Sequence, residues 1–202
     1  MKRCKWVDLK SKIYIKYHDT EWAVPSYDDQ YLFEMLILES FQAGLSWITI
    51  LNKRENFREA FDQFDYVKIS QYDSNKINQL MNNKGIIRNK LKINAAINNA
   101  NIFMDIQKEF GSFSKYIWKF TDYKIIKNKD DQIKTTSSLS DEISSDLKRR
   151  GMKFVGSTII YSYLQAIGII NDHEKDCDFC SISSAFLFMC CSQGQRGIYS
   201  RI

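Results

Sequence analysis

Apolar residues recur every three or four positions over residues 29–43, Leu32, Phe33, Leu36 and Ile37 among them, and the same spacing resumes over 46–61 after Gly44. That period is helical, and a glycine between two such runs predicts two helices meeting at a tight corner. A short helix is expected over 74–82, running out towards Gly85, and a longer one over 89–109 ahead of Gly111. Residues 140–151 are well punctuated: Ser140 as cap, Asp141 and Glu142 in the first turn, Lys148, Arg149 and Arg150 in the last, then Gly151. Both ends complement the helix dipole. The run 157–167, rich in Ile, Tyr and Leu and closed by Gly168, reads as a buried helix, although its β-branched residues also suit a strand. No stretch alternates as a half-buried sheet requires, so the expected fold class is all-α. After Cys180 the chain turns to Ala-Phe-Leu-Phe-Met-Cys-Cys and then to a polar, basic end. Residues 1–180 are therefore read as one unit and 181–202 as a tail whose role is open: terminal helix, partner-binding segment or appendage.

Composition narrows the class without naming a function. The chain has 202 residues, 44% hydrophobic and 14% aromatic, with one proline, the balance of a packed globular protein rather than a disordered one. The start, Met-Lys-Arg-Cys-Lys-Trp-Val-Asp, is too charged for the apolar core of a signal peptide. No apolar run approaches the ~18 residues of a membrane span. The expectation is a cytoplasmic monomer with no membrane partner. A formal net charge of +5 suits a polyanionic partner without requiring one.

Every cysteine and histidine lies in the first 18 or the last 30 residues, which suggests that the termini meet at a metal. Cys4, His18, His173 and Cys177 supply two thiolates and two imidazoles, a set zinc prefers, with His173 and Cys177 spaced by one helical turn. With four protein ligands such a zinc would be structural. Cys180 competes for the fourth place, since Cys177 and Cys180 also have a ligand-pair spacing. The plainer alternative is two ordinary histidines and incidental cysteines.

Leu32, Leu36, Glu39 and Ala43 fall on one helical stripe, which places a carboxylate among core-facing residues. Such a group needs a salt bridge, a raised pKa or a ligand that offers donors. Trp6, Tyr14, Tyr17, Trp22 and Trp47 flank that helix in sequence. A carboxylate with aromatic walls suits a flat, electron-poor cation, while ordinary core packing with an Arg or Lys partner explains the same residues. A glycine-containing turn rich in cations, residues 82–92, separates two helical runs. Backbone N–H groups at a helix start together with nearby Arg and Lys bind phosphate, although a basic interhelical turn is often simply solvated.

Taken in order, Arg3-Cys4-Lys5-Trp6-Val7, Tyr17-His18-Asp19-Thr20-Glu21-Trp22, Phe33-Glu34-Met35 with Leu38-Glu39, Gln42-Ala43-Gly44-Leu45-Ser46-Trp47, Lys53-Arg54-Glu55-Asn56, Gly85-Ile86-Ile87-Arg88, Lys153-Phe154-Val155-Gly156 and Asn171-Asp172-His173 carry a resemblance. Over about residues 1–177 the chain resembles the bacterial 3-methyladenine DNA glycosylase I group of the helix-hairpin-helix glycosylase superfamily. It departs at Ala23, where the pattern has glycine, and after Cys177.

The resemblance implies a helical bundle whose termini are joined by one structural zinc, with Cys4, His18, His173 and Cys177 at the ligand positions. It implies a base pocket in which Glu39 accepts hydrogen bonds from the adenine edge, Tyr17 and Trp47 form walls, and Trp6 and Tyr14 lie close by. Gly44 and Leu45 match the turn inserted into DNA; Gly85, Ile87 and Arg88 match the phosphate-binding hairpin. The implied activity is base-excision repair of duplex DNA containing alkylated adenine. A monofunctional glycosylase would flip the nucleotide and hydrolyse its glycosidic bond without a lysine nucleophile or strand cleavage. The family lacks the superfamily's usual catalytic aspartate, so Glu39 is assigned to recognition and orientation. The competing classes are a non-catalytic zinc-containing DNA-binding module and a small-molecule enzyme or metal scaffold with an incidental basic turn.

Overall fold

A computed structural model describes residues 1–127 and 134–180. Among these, α1 (Lys12–Thr20), α2 (Asp29–Gln42), α3 (Trp47–Leu51), α4 (Arg54–Ala60), α5 (Tyr66–Ser70), α6 (Ser74–Asn82), α7 (Lys90–Phe110) and α8 (Phe113–Lys119) precede a short strand, β1 (Ile126–Lys127). Helices α9 (Ser138–Arg149) and α10 (Ser157–Ala166) and a second strand, β2 (Ile170–Asn171), complete the order. The molecule is mostly helical, as its patterning predicts.

Helix α2 is the central element. Asp28 caps it by accepting from Gln30 N and Tyr31 N, and every residue from Leu32 to Phe41 is buried. The helix is thus enclosed on all sides rather than presenting the single apolar stripe inferred from its spacing. Phe33 and Phe41 anchor an aromatic core that runs through Phe57, Phe61, Phe103 and Phe113. Asp29 accepts from the backbone N–H groups of Phe113 and Ser114, fastening the start of α2 to the start of α8.

Several boundaries differ from those read in the sequence. The run 46–61 is two helices, broken where Lys53 takes φ −106° and ψ 0°. The helix expected from a Ser140 cap starts three residues earlier. Ser137 is its cap, and Ser140 returns a hydrogen bond to the Ser137 N–H in a reciprocal capping box. Helices α5 and α8, of five and seven residues, are too short to show a strong period, and α1 was likewise not expected. The segment 157–167 is helical, settling the strand alternative. A parallel pair, Ile126 with Ile170 and Lys127 with Asn171, was not expected, since two-residue strands leave no alternation to read.

Tight backbone contacts hold the end of α10 against the chain leaving α1. Ala23 N donates to Gln165 O and Ser26 N to Ile167 O. Gly168 has φ +78°, and a Cβ there would lie 2.3 Å from Pro25 N. Ala23, at the position where the family pattern has glycine, has φ +59°. The left-handed backbone accounts for that preference, and alanine carries roughly 1 kcal/mol of strain in its place.

Candidate active site and metal cluster

Among the described residues, a cavity of about 1050 Å³ is lined by the N-terminal segment with α1, the end of α2 with Trp47, a far wall from α10 to Asp176, and Lys134. Trp6, Tyr14, Tyr17, Glu39 and Trp47 all line it, as do Trp22, Gln42, Gln165 and Asp172. Tyr17 and Trp47 lie with ring centroids 5.4 Å apart at 57°, and Trp6 packs against Tyr14 at 5.1 Å. Trp6 sits at the rim, 36% exposed, whereas Tyr17 is buried. The far wall was not legible in the sequence. There Gln165 Nε2 and the Tyr161 hydroxyl both donate to Asp172 Oδ2.

Glu39 is 3% exposed. Among the described residues no ion pair includes Glu39: Arg54 binds Glu34 and Glu21, Arg58 binds Glu34 and Glu55, and Lys92 binds backbone carbonyls. The salt-bridged alternative therefore fails. Glu39 Oε2 is buried without a hydrogen-bond partner, and so is Trp47 Nε1. Burial alone pushes the Glu39 carboxyl up to about 8. Burial also raises Tyr14 and Tyr17, with the Glu39 charge adding to the effect. The cavity presents an unsatisfied acceptor and an unsatisfied donor between aromatic faces, a combination suited to a flat heterocycle with polar edges.

Cys4, His18, His173 and Cys177 are all buried, and their ligand atoms lie within 4.8 Å of one another. Cys180 is outside this group, which decides the competition for the fourth place. The residues from His173 to Cys177 are not helical. A turn closed by Cys177 N donating to Glu174 O brings the two together, correcting the helical spacing inferred from sequence. His18 Nδ1 lies 2.8 Å from Asp19 Oδ1, and Arg3 clamps Asp19 through Nε and Nη2. His173 Nδ1 pairs with Asn171 Oδ1 at 2.9 Å. These outer partners leave each Nε2 for the cluster. His173 Nε2 is buried and unpartnered, its imidazole pushed down to about 4 chiefly by burial, and the Cys4 thiol is pushed up to about 12 chiefly by burial. An orphaned nitrogen beside two buried sulfurs fits a thiophilic cation.

The basic turn lies between α6 and α7. Asn83 Oδ1 accepts from Gly85 N, while Lys53 Nζ and Asn56 Nδ2 donate to Gly85 O. A Cβ on Gly85 would lie 3.0 Å from Asn83 Oδ1, so the turn packs closely there. Arg88 is exposed and Ile87 half-buried. Gly44, with φ +81°, turns the chain out of α2 and leaves Leu45 40% exposed.

A family model described as "Methyladenine glycosylase" matches residues 6–181. DNA-3-methyladenine glycosylase 1 of Escherichia coli (strain K12) is 44% identical over 180 residues, spanning 88% of this chain and 96% of that protein. A crystal structure of 3-methyladenine DNA glycosylase I superposes with a TM-score of 0.84 at 44% identity, covering 88% of this chain and 98% of the other. A tyrosine-to-phenylalanine variant of 3-methyladenine DNA glycosylase I, crystallised in complex with 3-methyladenine, superposes with a TM-score of 0.83 at 37% identity. The two chains are covered to 89% and 97% respectively.

Proposed function

The chain belongs to the methyladenine glycosylase family, and from that premise we propose that it excises 3-methyladenine from alkylated DNA in base-excision repair by hydrolysing the N-glycosidic bond. The observation that carries this reading is the unpaired Glu39 carboxyl in an aromatic cavity of about 1050 Å³. Methylation at N3 makes the base cationic and weakens its bond to deoxyribose, so the base departs neutral and needs little acid catalysis. Flipping the nucleotide out costs roughly a few kcal/mol, less for a damaged base. Tyr17 and Trp47 stack on the ring while Glu39 accepts from the adenine edge. A cation drawn into this desolvated site favours the carboxylate form. Unmodified adenine brings no charge to offset that ionisation, so it binds more weakly.

Grip on the duplex is assigned to a helix-hairpin-helix formed by α6, the turn and α7, with Gly85, Ile87 and Arg88 at the phosphates and Gly44 and Leu45 entering the stack. Cys4, His18, His173 and Cys177 would hold one zinc. Filled by four protein ligands, that ion would serve as a structural cross-link between the termini and take no part in the hydrolysis. Residues 1–180 form the glycosylase unit, acting as a single copy; the tail at 181–202 lies outside the described residues. The test is incubation of the purified chain with methylated duplex DNA, with chromatography of released bases and scoring of strand breaks. Free 3-methyladenine with intact strands is expected. Salt-dependent DNA binding with no base released would instead identify a non-catalytic module.

A further inference from the structure

Lys92 is a buried cation for which the catalytic reading has no use. It is 7% exposed, and no carboxylate pairs with it among the described residues. Its Nζ donates to Phe41 O at 2.8 Å and to Ala43 O at 2.7 Å. These carbonyls belong to the last turn and cap of α2, where the peptide dipoles leave partial negative charge. The last turn of α2 has no basic residue of its own. Lys92 supplies the missing cation from another element.

The position of Lys92 in the chain gives the contact its meaning. Lys92 is the third residue of α7, directly after the basic turn, and the Asn89 cap that starts α7 accepts from its backbone N–H. At the other end of its side chain, Ala43 precedes the exposed Gly44–Leu45 turn, and Glu39 and Gln42 lie within one turn of Phe41 on the cavity wall. One side chain therefore joins the start of α7 to the end of the helix that bears Glu39. Burial lowers its pKa, so holding an ammonium there costs free energy that its hydrogen bonds to the two carbonyls offset.

We propose that Lys92 is a positioning residue for base excision, locking the end of α2 to the phosphate-gripping turn so that docking of the DNA backbone sets the Gly44–Leu45 turn and the base cavity in register. The proposal rests on the glycosylase reading above. Lys92 does not act as a nucleophile, since two carbonyls hold its nitrogen at the end of α2.

The experiment uses the full chain. Wild type must first release 3-methyladenine from methylated duplex, and failure there would refute the glycosylase reading itself rather than the role of Lys92. Lys92→Met is expected to lower kcat/KM on that duplex at least about tenfold, mainly in kcat, because a small misplacement of reacting groups is costly. Affinity for free 3-methyladenine, followed by tryptophan fluorescence, stays within about threefold because the cavity walls remain. Lys92→Arg recovers most of the rate. In a double-mutant cycle Lys92→Met adds little to the loss caused by Leu45→Ala, since both act through the same turn. Wild-type excision by Lys92→Met, equal losses of excision and free-base binding, or full additivity with Leu45→Ala would each overturn the proposal. Should Lys92→Met fail to give a cooperative thermal melt, Lys92→Gln, which keeps one neutral donor, is judged by the same criteria.

Discussion

Glu39 is 3% exposed and no cation among the described residues pairs with it, and this isolation makes its behaviour predictable. With its carboxyl pushed up to about 8, the folded protein holds that proton more tightly than the unfolded chain does. The stabilisation is complete below the usual glutamate range and is lost as pH rises through about 8. Glu39→Gln removes this dependence, so the variant should melt higher than wild type at pH 8 and above, by on the order of a few kcal/mol. Thermal melts of the two proteins across that pH range check it. The same substitution is expected to lower 3-methyladenine release at least about 100-fold while leaving binding to abasic DNA largely intact, and full excision would contradict the pocket assignment. Because the acceptor role needs the carboxylate, wild-type kcat/KM should fall as pH drops below about 8 and level off above it. A flat profile would exclude Glu39 as the titrating group. Its burial was legible from helical spacing. Its lack of an ion pair was not, because Arg54 and Arg58 could have reached it as readily as Glu34 from sequence alone.

At the scale of elements, the joints are more demanding than the helices. Gly168 holds φ +78° with the Val24–Pro25 backbone against the place a Cβ would occupy, whereas Gly156 has φ −63° and open space around it. Gly168→Ala should therefore cost at least about 2 kcal/mol and lower Tm by roughly 5 °C or more, since the neighbour that must move is backbone. Gly156→Ala should leave Tm within roughly 2 °C. Equal effects in differential scanning fluorimetry would refute this account of the α10 joint. The long helices α2 and α7 and the glycine stops were readable because many residues share one period. The break at Lys53, the start of α9 and the pairing of Ile126 with Ile170 were not. The first two turn on single local features, one backbone conformation at Lys53 and one serine–serine capping box, and the third on a pairing between residues far apart in the chain.

For the molecule as a whole, the four-residue cluster brings the N-terminal segment against the stretch after β2. The ligands come from the N-terminal segment, the last turn of α1 and the stretch after β2; beside them the Lys2 ammonium pairs with Asp176 and the Lys2 backbone N–H donates to Asp178. A zinc ion there would close a loop from residue 4 to residue 177, a constraint worth about 5 kcal/mol if it restricted the unfolded state as a disulfide would. The purified chain is expected to carry about one zinc per copy by elemental analysis. Chelation or Cys4→Ser should lower Tm by roughly 10 °C and expose the N-terminal segment to protease. An unchanged Tm in metal-free protein would refute the structural role. Because Trp6 and Tyr14 lie in that segment, loosening it should also weaken binding of free 3-methyladenine.

The sequence by itself determined the helical class, the two long helices, the buried position of Glu39 and the cysteines and histidines from which the cluster is drawn. These follow from local periodicity and from the rarity of histidine and cysteine along the chain. Only the tertiary structure decided that Glu39 is unpaired, that Cys4 rather than Cys180 joins the cluster, and that Gln165 and Asp172 complete the cavity wall. It alone joined Lys92 to the end of α2. Each of these is a meeting of side chains far apart in the chain, and local pattern carries no information about which of several possible partners packing brings within a few ångströms.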